Sequence, residues 1–556
     1  MVETDVVSNV DLDKFRQIDD TELDKFTKLS NFEISAIFLE YAAKNIRGNR
    51  VINAGRGNPN WINTLARLAY GKLVNFGVKE SGETFERDDG VMAGYIDGIG
   101  VGKRFLDSLS DSDTVDQFLR NAVNYCVIKL GVDEDAFVKE LLDGAIGNNY
   151  PVPSRALKYT ENILNAYLQK NLYKGVDLIN ETEVFPTEGG TAAMVYLFQE
   201  LKQSHILNPG DTIAINSPIF TPYLQIPELS EYNLKIVRLA ANEDDNWQMT
   251  DEQMDVLKDD RIKAFFDVNP TNPSARAYSP HTLEKFKDVV SANPNLIIVS
   301  DDVYGTFADD YQSIYASVPH NTLLVYSFSK LYGATGQRLG LIAVNKDNVC
   351  DRIITRLAQD DDEIHEEFNQ RYSMLVPEPD EMKFIDRTVA DSRAIGLYHT
   401  SGLSTPQQIM MDLFALTSLV SENVDDYILT SKKVVNYRYH ALWDEMGVNV
   451  DNSHANTKYY TLLNIYDLVE KLHGKEFGEY FRSQYSYLSF PYRLAKEFGA
   501  VVMDASGFGA KKGYLRISLA NLTSGDYRDL AKCMKALIGE YYLEFQQQKN
   551  QTKINQ

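Results

Sequence analysis

Lys330 follows Ser327 and Ser329 closely in Tyr326-Ser-Phe-Ser-Lys330-Leu-Tyr-Gly-Ala-Thr-Gly-Gln-Arg338-Leu-Gly340, and Arg338 lies eight positions further on, flanked by glycines. This combination suits a covalent cofactor anchor. A lysine that forms a Schiff base needs a fixed stem, and a phosphate held nearby needs hydroxyls and a guanidinium. Pyridoxal phosphate carries the matching aldehyde and phosphate. Taken alone, the string is also compatible with a surface Ser-Lys turn.

Three upstream stretches carry what the rest of such a cofactor needs. Leu296-Ile-Ile-Val-Ser-Asp301-Asp302-Val-Tyr304 is an apolar strand ending in a carboxylate, with a phenol three residues later. A carboxylate beside a pyridine nitrogen keeps it protonated, and a phenol can bond the ring's 3′ oxygen; a strand running into an acidic turn is the plain alternative. Phe266-Asp-Val-Asn269-Pro-Thr-Asn272-Pro273 is a second strand entering a Pro-punctuated turn, where the Asn272 amide serves either that same oxygen or an Asx turn. In Phe185-Pro-Thr-Glu-Gly189-Gly190-Thr191-Ala-Ala-Met194, a strand passes into a helix through two glycines, which offers backbone N–H groups to an anion.

In order and spacing, these motifs resemble the aspartate aminotransferase family, fold type I of the pyridoxal-phosphate enzymes, over roughly residues 50–540. The resemblance implies an α/β large domain with a mostly parallel central sheet, plus a small α/β domain. It implies that Lys330 is the Schiff-base lysine and that Gly189, Gly190, Thr191, Ser327, Ser329 and Arg338 surround the phosphate. It further implies Asp301 at the pyridine nitrogen, Asn272 and Tyr304 at the 3′ oxygen, and Phe220 of Asn216-Ser-Pro-Ile-Phe220 stacked on the ring. The same resemblance implies that Tyr150 of Tyr150-Pro-Val-Pro-Ser-Arg155 reaches the phosphate of a neighbouring subunit, which makes the chain a homodimer at least and implies a higher homo-oligomer; a core tyrosine is the alternative.

Substrate contacts are expected near both ends of the chain. In Gly513-Tyr-Leu-Arg516-Ile-Ser518, Arg516 matches the family's fork for an α-carboxylate, a geometry that lysine cannot copy. In Val51-Ile-Asn-Ala-Gly55-Arg56-Gly57-Asn-Pro59-Asn-Trp61, Gly57 and Pro59 resemble the loop at the substrate mouth, while Arg56 is not shared with general aminotransferases. That loop is similar to a subfamily, the aspartate 4-decarboxylases, which convert L-aspartate to L-alanine and carbon dioxide and also transaminate with 2-oxo acids. Arg56 is the candidate for the β-carboxylate. A plain aspartate or aromatic aminotransferase would use the same cofactor residues. A cofactor-binding transcription regulator is the remote alternative, disfavoured because the residues before Val51 are too few for a winged helix and the chain is acidic.

The chain must position these groups with 556 residues, 44% of them hydrophobic, enough for a sizeable core. A net charge of −23 argues against nucleic acid as a partner, and three widely spaced cysteines argue against a disulfide framework. The first residues resemble no signal peptide and no apolar run has membrane-spanning length, so a cytoplasmic enzyme is expected. Apolar runs at 212–215, 234–239, 262–268, 296–299, 323–328 and 339–344 are the expected strands, with chemistry at their ends. Residues 1–62 are expected to form an N-terminal arm and part of the small domain, 63–149 a helical insertion, and 150–400 the large domain with a second insertion at about 351–398. Residues 401–545, with a long helix at 405–442, a strand at 457–463 and a helix at 524–545, are expected to complete the small domain, and 546–556 to form a disordered tail. The acidic run at 360–367 is expected to be a solvated face, with no metal site.

Overall fold

A computed structural model of the chain describes residues 29–85, 92–150, 155–393, 402–421 and 425–554, together with Leu23, Lys25 and Phe26; side chains are described to residue 551. The expected arm before Leu23, residues 151–154 of the Tyr150 segment, the end of the second insertion and Ser401 lie outside these residues. The described chain forms two compact units.

The larger unit holds residues Gly57–Tyr437 and Asp451–Tyr460. Its centre is a sheet of seven strands: β1 (Thr182–Thr187), β2 (Thr212–Ser217), β3 (Lys235–Ala240), β4 (Ile262–Val268), β5 (Ile297–Asp301), β6 (Thr322–Ser327) and β7 (Gly340–Asn345). The spatial order is β1-β7-β6-β5-β4-β2-β3, with β7 antiparallel to both neighbours and every other pair parallel. Strands β1, β4, β5, β6 and β7 are buried over nearly their whole length, which explains why β4 to β7 are largely apolar runs and not alternating ones; β1, Thr182-Glu-Val-Phe-Pro-Thr187, is buried as well but carries polar residues at both ends. The register aligns their ends. Val268 and Val325 flank Asp301, while Thr187 and Ser327 both pair with Gly340.

The expected 63–149 stretch forms helices Thr64–Gly82, Val101–Ser108, Thr114–Leu130 and Glu134–Ile146, which pack with Lys158–Asn171 and Thr405–Leu419. This packing changes the expected division of the chain. Helix Thr405–Leu419 is apolar on every side and nearly all its residues are buried, so it has to sit inside a helical cluster and belongs to the larger unit. The single long helix expected at 405–442 is two, Thr405–Leu419 and Asp426–Met446.

The smaller unit holds residues Met1–Arg56, Arg438–Val450 and Thr461–Gln556, so the expected boundaries at 62 and 401 fall instead at 56 and 438. Strand Ile52–Asn53 pairs in parallel with Ala500–Val501, and a three-stranded sheet runs in the order Met503–Asp504, Tyr514–Ser518, Tyr460–Asn464. Leu442, Val469, Phe477, Leu494, Leu515, Ile517, Leu530 and Leu537 share its core. Its last helix runs Ser524–Ile554, beyond the expected end at Phe545 and through most of the expected tail. The extension has partners: Lys549 donates to Glu476 at 2.6 Å and lies over the Phe545 ring.

Candidate active site

The C-terminal ends of β1, β2, β4, β5 and β6 and the loops that follow them carry Gly189, Phe220, Asn272, Asp301 and Ser327 respectively. Parallel strands leave their terminal loops on one edge, where side chains from distant parts of the sequence can meet.

Asp301 ends β5 and is only 8% exposed. Tyr223 Oη donates to its Oδ2 at 3.3 Å and the Val303 N–H to its Oδ1 at 3.2 Å. Burial raises its pKa to about 6, against those bonds and the charge of Lys330, which acts on it. Two further buried carboxyls flank it. Burial pushes Asp302 up to about 7, although Ser300 Oγ donates to it at 2.5 Å, and pushes Asp267 up to about 6 despite bonds from Asn216 and Tyr278. A cation placed beside Asp301 would relieve this strain by restoring a charge pair.

Lys330 Nζ donates to the Gly57 carbonyl at 3.2 Å, and Tyr459 Oη donates to the same oxygen at 2.9 Å. Tyr304 is buried, with its hydroxyl 3.0 Å from that of Tyr460. The rings of Tyr304 and Phe307 pack on Tyr459 with centroids 5.0 and 4.9 Å away, and Trp61 packs on it at 6.2 Å. The amine therefore sits beside an aromatic wall.

The remaining groups converge at the start of helix Gly190–Gln203. Its N-cap is Gly189, at φ +91°, so no side chain caps the helix and its first N–H groups are open to an anion. A Cβ on Gly189 would lie 2.5 Å from Arg338 Nη2, and one on Gly190 3.4 Å from the Ser327 Cβ. A Cβ on Gly340 would lie 2.5 Å from the Gly189 carbonyl carbon. Only glycine allows strand, turn and guanidinium to come this close. Ser329 is buried, with its N–H bonded to Ser327 Oγ at 3.3 Å, and Thr191 is exposed on the first turn. Pyridoxal phosphate fits this set: an uncapped helix start with an arginine and a serine for its phosphate, a buried carboxylate for its ring nitrogen, and a lysine for its aldehyde.

Other expected residues stand as follows. Phe220 is half-buried just beyond β2, and Asn272 is buried in the loop after β4. Tyr150 is 70% exposed in the single chain. Arg56 and Arg516 belong to the smaller unit, where Arg56 is exposed. Arg516 is buried, donates from Nη2 to the Gly55 carbonyl at 2.8 Å and lies 4.6 Å over the Phe508 ring. It therefore holds the backbone immediately before Arg56. Tyr223, Tyr459 and Tyr460 are absent from the sequence expectations. Tyr223 lies one helical turn after Phe220 and was within reach of that spacing; the two other tyrosines meet Gly57 and Tyr304 across more than 150 residues, which no local pattern encodes.

Comparison with known proteins places these groups in context. A family model, aminotransferase class I and II, matches residues 129–365. The chain is 40% identical over 522 residues to a bifunctional aspartate aminotransferase and L-aspartate beta-decarboxylase of Pseudomonas sp., covering 93% of this chain and 97% of that one. It is 28% identical to an aspartate aminotransferase of Bacillus sp. (strain YM-2), over 40% of this chain and 57% of the relative. Among solved structures, the aspartate aminotransferase of Rhizobium meliloti superposes with a TM-score of 0.58 at 16% identity, covering 92% of this chain and 96% of that one. The aromatic aminotransferase of Pyrococcus horikoshii OT3 gives 0.55 at 18% identity, covering 92% and 100%.

Proposed function

The chain belongs to the class I and II aminotransferases, and on that basis we propose that it removes the β-carboxylate of L-aspartate as carbon dioxide to release L-alanine, with aspartate aminotransferase activity alongside. The observation that carries this reading is the 40% identity to the bifunctional Pseudomonas enzyme. It runs through nearly the whole of both chains, so cofactor motifs common to all aminotransferases cannot account for it.

When bound, pyridoxal phosphate supplies an aldehyde that takes the amino group covalently and a protonated ring that accepts electrons from a breaking bond. The chain's residues do the rest. Gly189, Gly190, Ser327 and Arg338 hold the phosphate, aided by the helix start and the bidentate reach of the guanidinium. Asp301, steadied by Tyr223, keeps the ring nitrogen protonated. Lys330 would hold the cofactor's aldehyde, and its amine would move the proton at the substrate's Cα. The Gly57 carbonyl is a ready acceptor for its free amine.

Arg516 takes the substrate's α-carboxylate and Arg56 its β-carboxylate. A single exposed arginine suits the second task, because a tight grip would stabilise the charge that decarboxylation has to remove. The aromatic wall of Trp61, Tyr304, Phe307 and Tyr459 keeps water from the Lys330 end of the site. Water there would divert substrate to a keto acid, so its exclusion favours decarboxylation over transamination. Tyr150, exposed in the single chain, supports assembly into at least a homodimer in which it meets a second copy.

The test is turnover without a 2-oxo acid acceptor. A decarboxylase runs continuously on L-aspartate alone; an aminotransferase stops after one amino group per site and resumes only when an acceptor is added, which would overturn the proposal.

A further inference from the structure

We propose that Tyr460 is a positioning residue, whose phenol donates a hydrogen bond to the Tyr304 hydroxyl and so sets how strongly Tyr304 donates to the cofactor's 3′ oxygen. This rests on the cofactor reading above and goes beyond it, since Tyr460 does not itself reach the cofactor in this role.

The two hydroxyls lie 3.0 Å apart, and both side chains are buried. Their rings meet edge to face, with centroids 5.5 Å apart and planes at 76°. Tyr459 packs against both, at 5.0 Å from Tyr304 and 5.1 Å from Tyr460, which fixes the pair laterally. On its other side the Tyr460 hydroxyl abuts Gly57: a Cβ there would lie 2.3 Å from Tyr460 Oη and 3.3 Å from its Cζ. Residue 57 must therefore lack a side chain for the phenol to keep its place. The carbonyl of that same residue receives Lys330 Nζ and Tyr459 Oη. One glycine thus fixes the phenol through its missing side chain and the lysine through its backbone.

The direction of the phenol–phenol bond follows from counting protons. Each hydroxyl has one proton to donate and two lone pairs with which to accept. If Tyr304 gives its proton to the 3′ oxygen, its bond to Tyr460 requires Tyr460 as the donor. A donor behind a hydroxyl polarises it and strengthens the bond that the hydroxyl makes in turn, most of all where water is absent. A phenylalanine at 460 would keep the ring packing and remove the hydroxyl that polarises Tyr304.

The experiment follows the visible absorbance of the bound cofactor against pH, without substrate. A weaker donor at the 3′ oxygen leaves that oxygen more basic, so the proton it shares with the nitrogen held by Lys330 is lost at higher pH. Tyr460→Phe should raise the midpoint by roughly half to one pH unit. Tyr304→Phe should raise it further, and Tyr304→Phe with Tyr460→Phe should match Tyr304→Phe alone, because Tyr460 acts through Tyr304. Replacing Tyr460 with 3-fluorotyrosine, a stronger donor, should lower the midpoint, a change of sign that loss of packing cannot produce. An unchanged midpoint in both Tyr460 variants, or shifts that add in the double variant, would overturn the proposal. The readout needs no product: a wild type that titrates but makes no alanine overturns only the decarboxylation reading, whereas one with no titrating absorbance overturns both.

Discussion

In the proposed function the attachment point and the proton carrier are one amine, that of Lys330, so Lys330→Ala should lose decarboxylation and transamination together while remaining folded. Borohydride reduction of the wild type should leave the cofactor covalently on Lys330; label on another lysine would sink the assignment. Asp302 yields a prediction of a different kind. Burial holds its pKa at about 7, whereas an unfolded aspartate titrates near 4, so between those values the fold binds the extra proton. Its contribution to stability is complete below about pH 4 and is lost as pH rises towards 7, and Asp301 and Asp267 act in the same direction. In the cofactor-free chain, Asp302→Asn should flatten the fall in unfolding free energy over that interval by an amount on the order of a few kcal/mol. An unchanged pH profile would show that Asp302 is not the proton-binding group. The sequence exposes Lys330 and Asp301 because each sits in a short motif with a fixed offset. It hides the raised pKa of Asp302, which depends on burial at a strand end, and the Tyr460 contact, which joins Tyr304 across 156 positions.

The strands of the large sheet were the most legible elements, since most are buried and apolar: 262–268 is recovered without change, and the five other strands expected between 212 and 344 move by only one or two residues at either end, while the strand expected at 457–463 begins three residues later, at Tyr460. Helix Thr405–Leu419 was less so, because a helix apolar all round looks the same in sequence whichever unit buries it. The tail past Phe545 looked unstructured because its contact with Glu476, on another helix of the same unit and 73 residues away, leaves no local pattern. Where β7 meets the Gly189 turn, Gly340→Ala would place a methyl group 2.5 Å from the Gly189 carbonyl carbon and 2.6 Å from the Gly190 nitrogen. That backbone must move, so cofactor affinity should fall at least about tenfold and stability by about 1–3 kcal/mol, read by cofactor titration and thermal unfolding. Gly336→Ala has open space and should change neither. Strand Tyr514–Ser518 brings a second test, since Arg516 also braces Gly55. Arg516→Ala should weaken reaction with every amino acid by roughly 2–5 kcal/mol, and with aspartate more than with alanine because the Arg56 loop loosens too. Arg56→Ala should impair aspartate and spare alanine. Half-reactions followed by cofactor absorbance separate the cases, and equal losses for both substrates in Arg56→Ala would assign that arginine to loop support.

At the scale of the whole molecule, the larger of the two compact units contains the residues proposed for the cofactor, and the smaller contains Arg56 and Arg516. No helix among the described residues is long and apolar enough to cross a membrane. The net charge of −23 makes a small dicarboxylate dependent on local arginines for capture, with the chain's overall field opposing it. The most direct test of the central claim is the fate of the β-carboxylate. Purified protein loaded with pyridoxal phosphate is given L-aspartate labelled at that carbon, with no 2-oxo acid present. Labelled carbon dioxide and alanine should appear in equal amounts over many turnovers per site. Retention of the label in oxaloacetate, with turnover only after a 2-oxo acid is added, would contradict that claim.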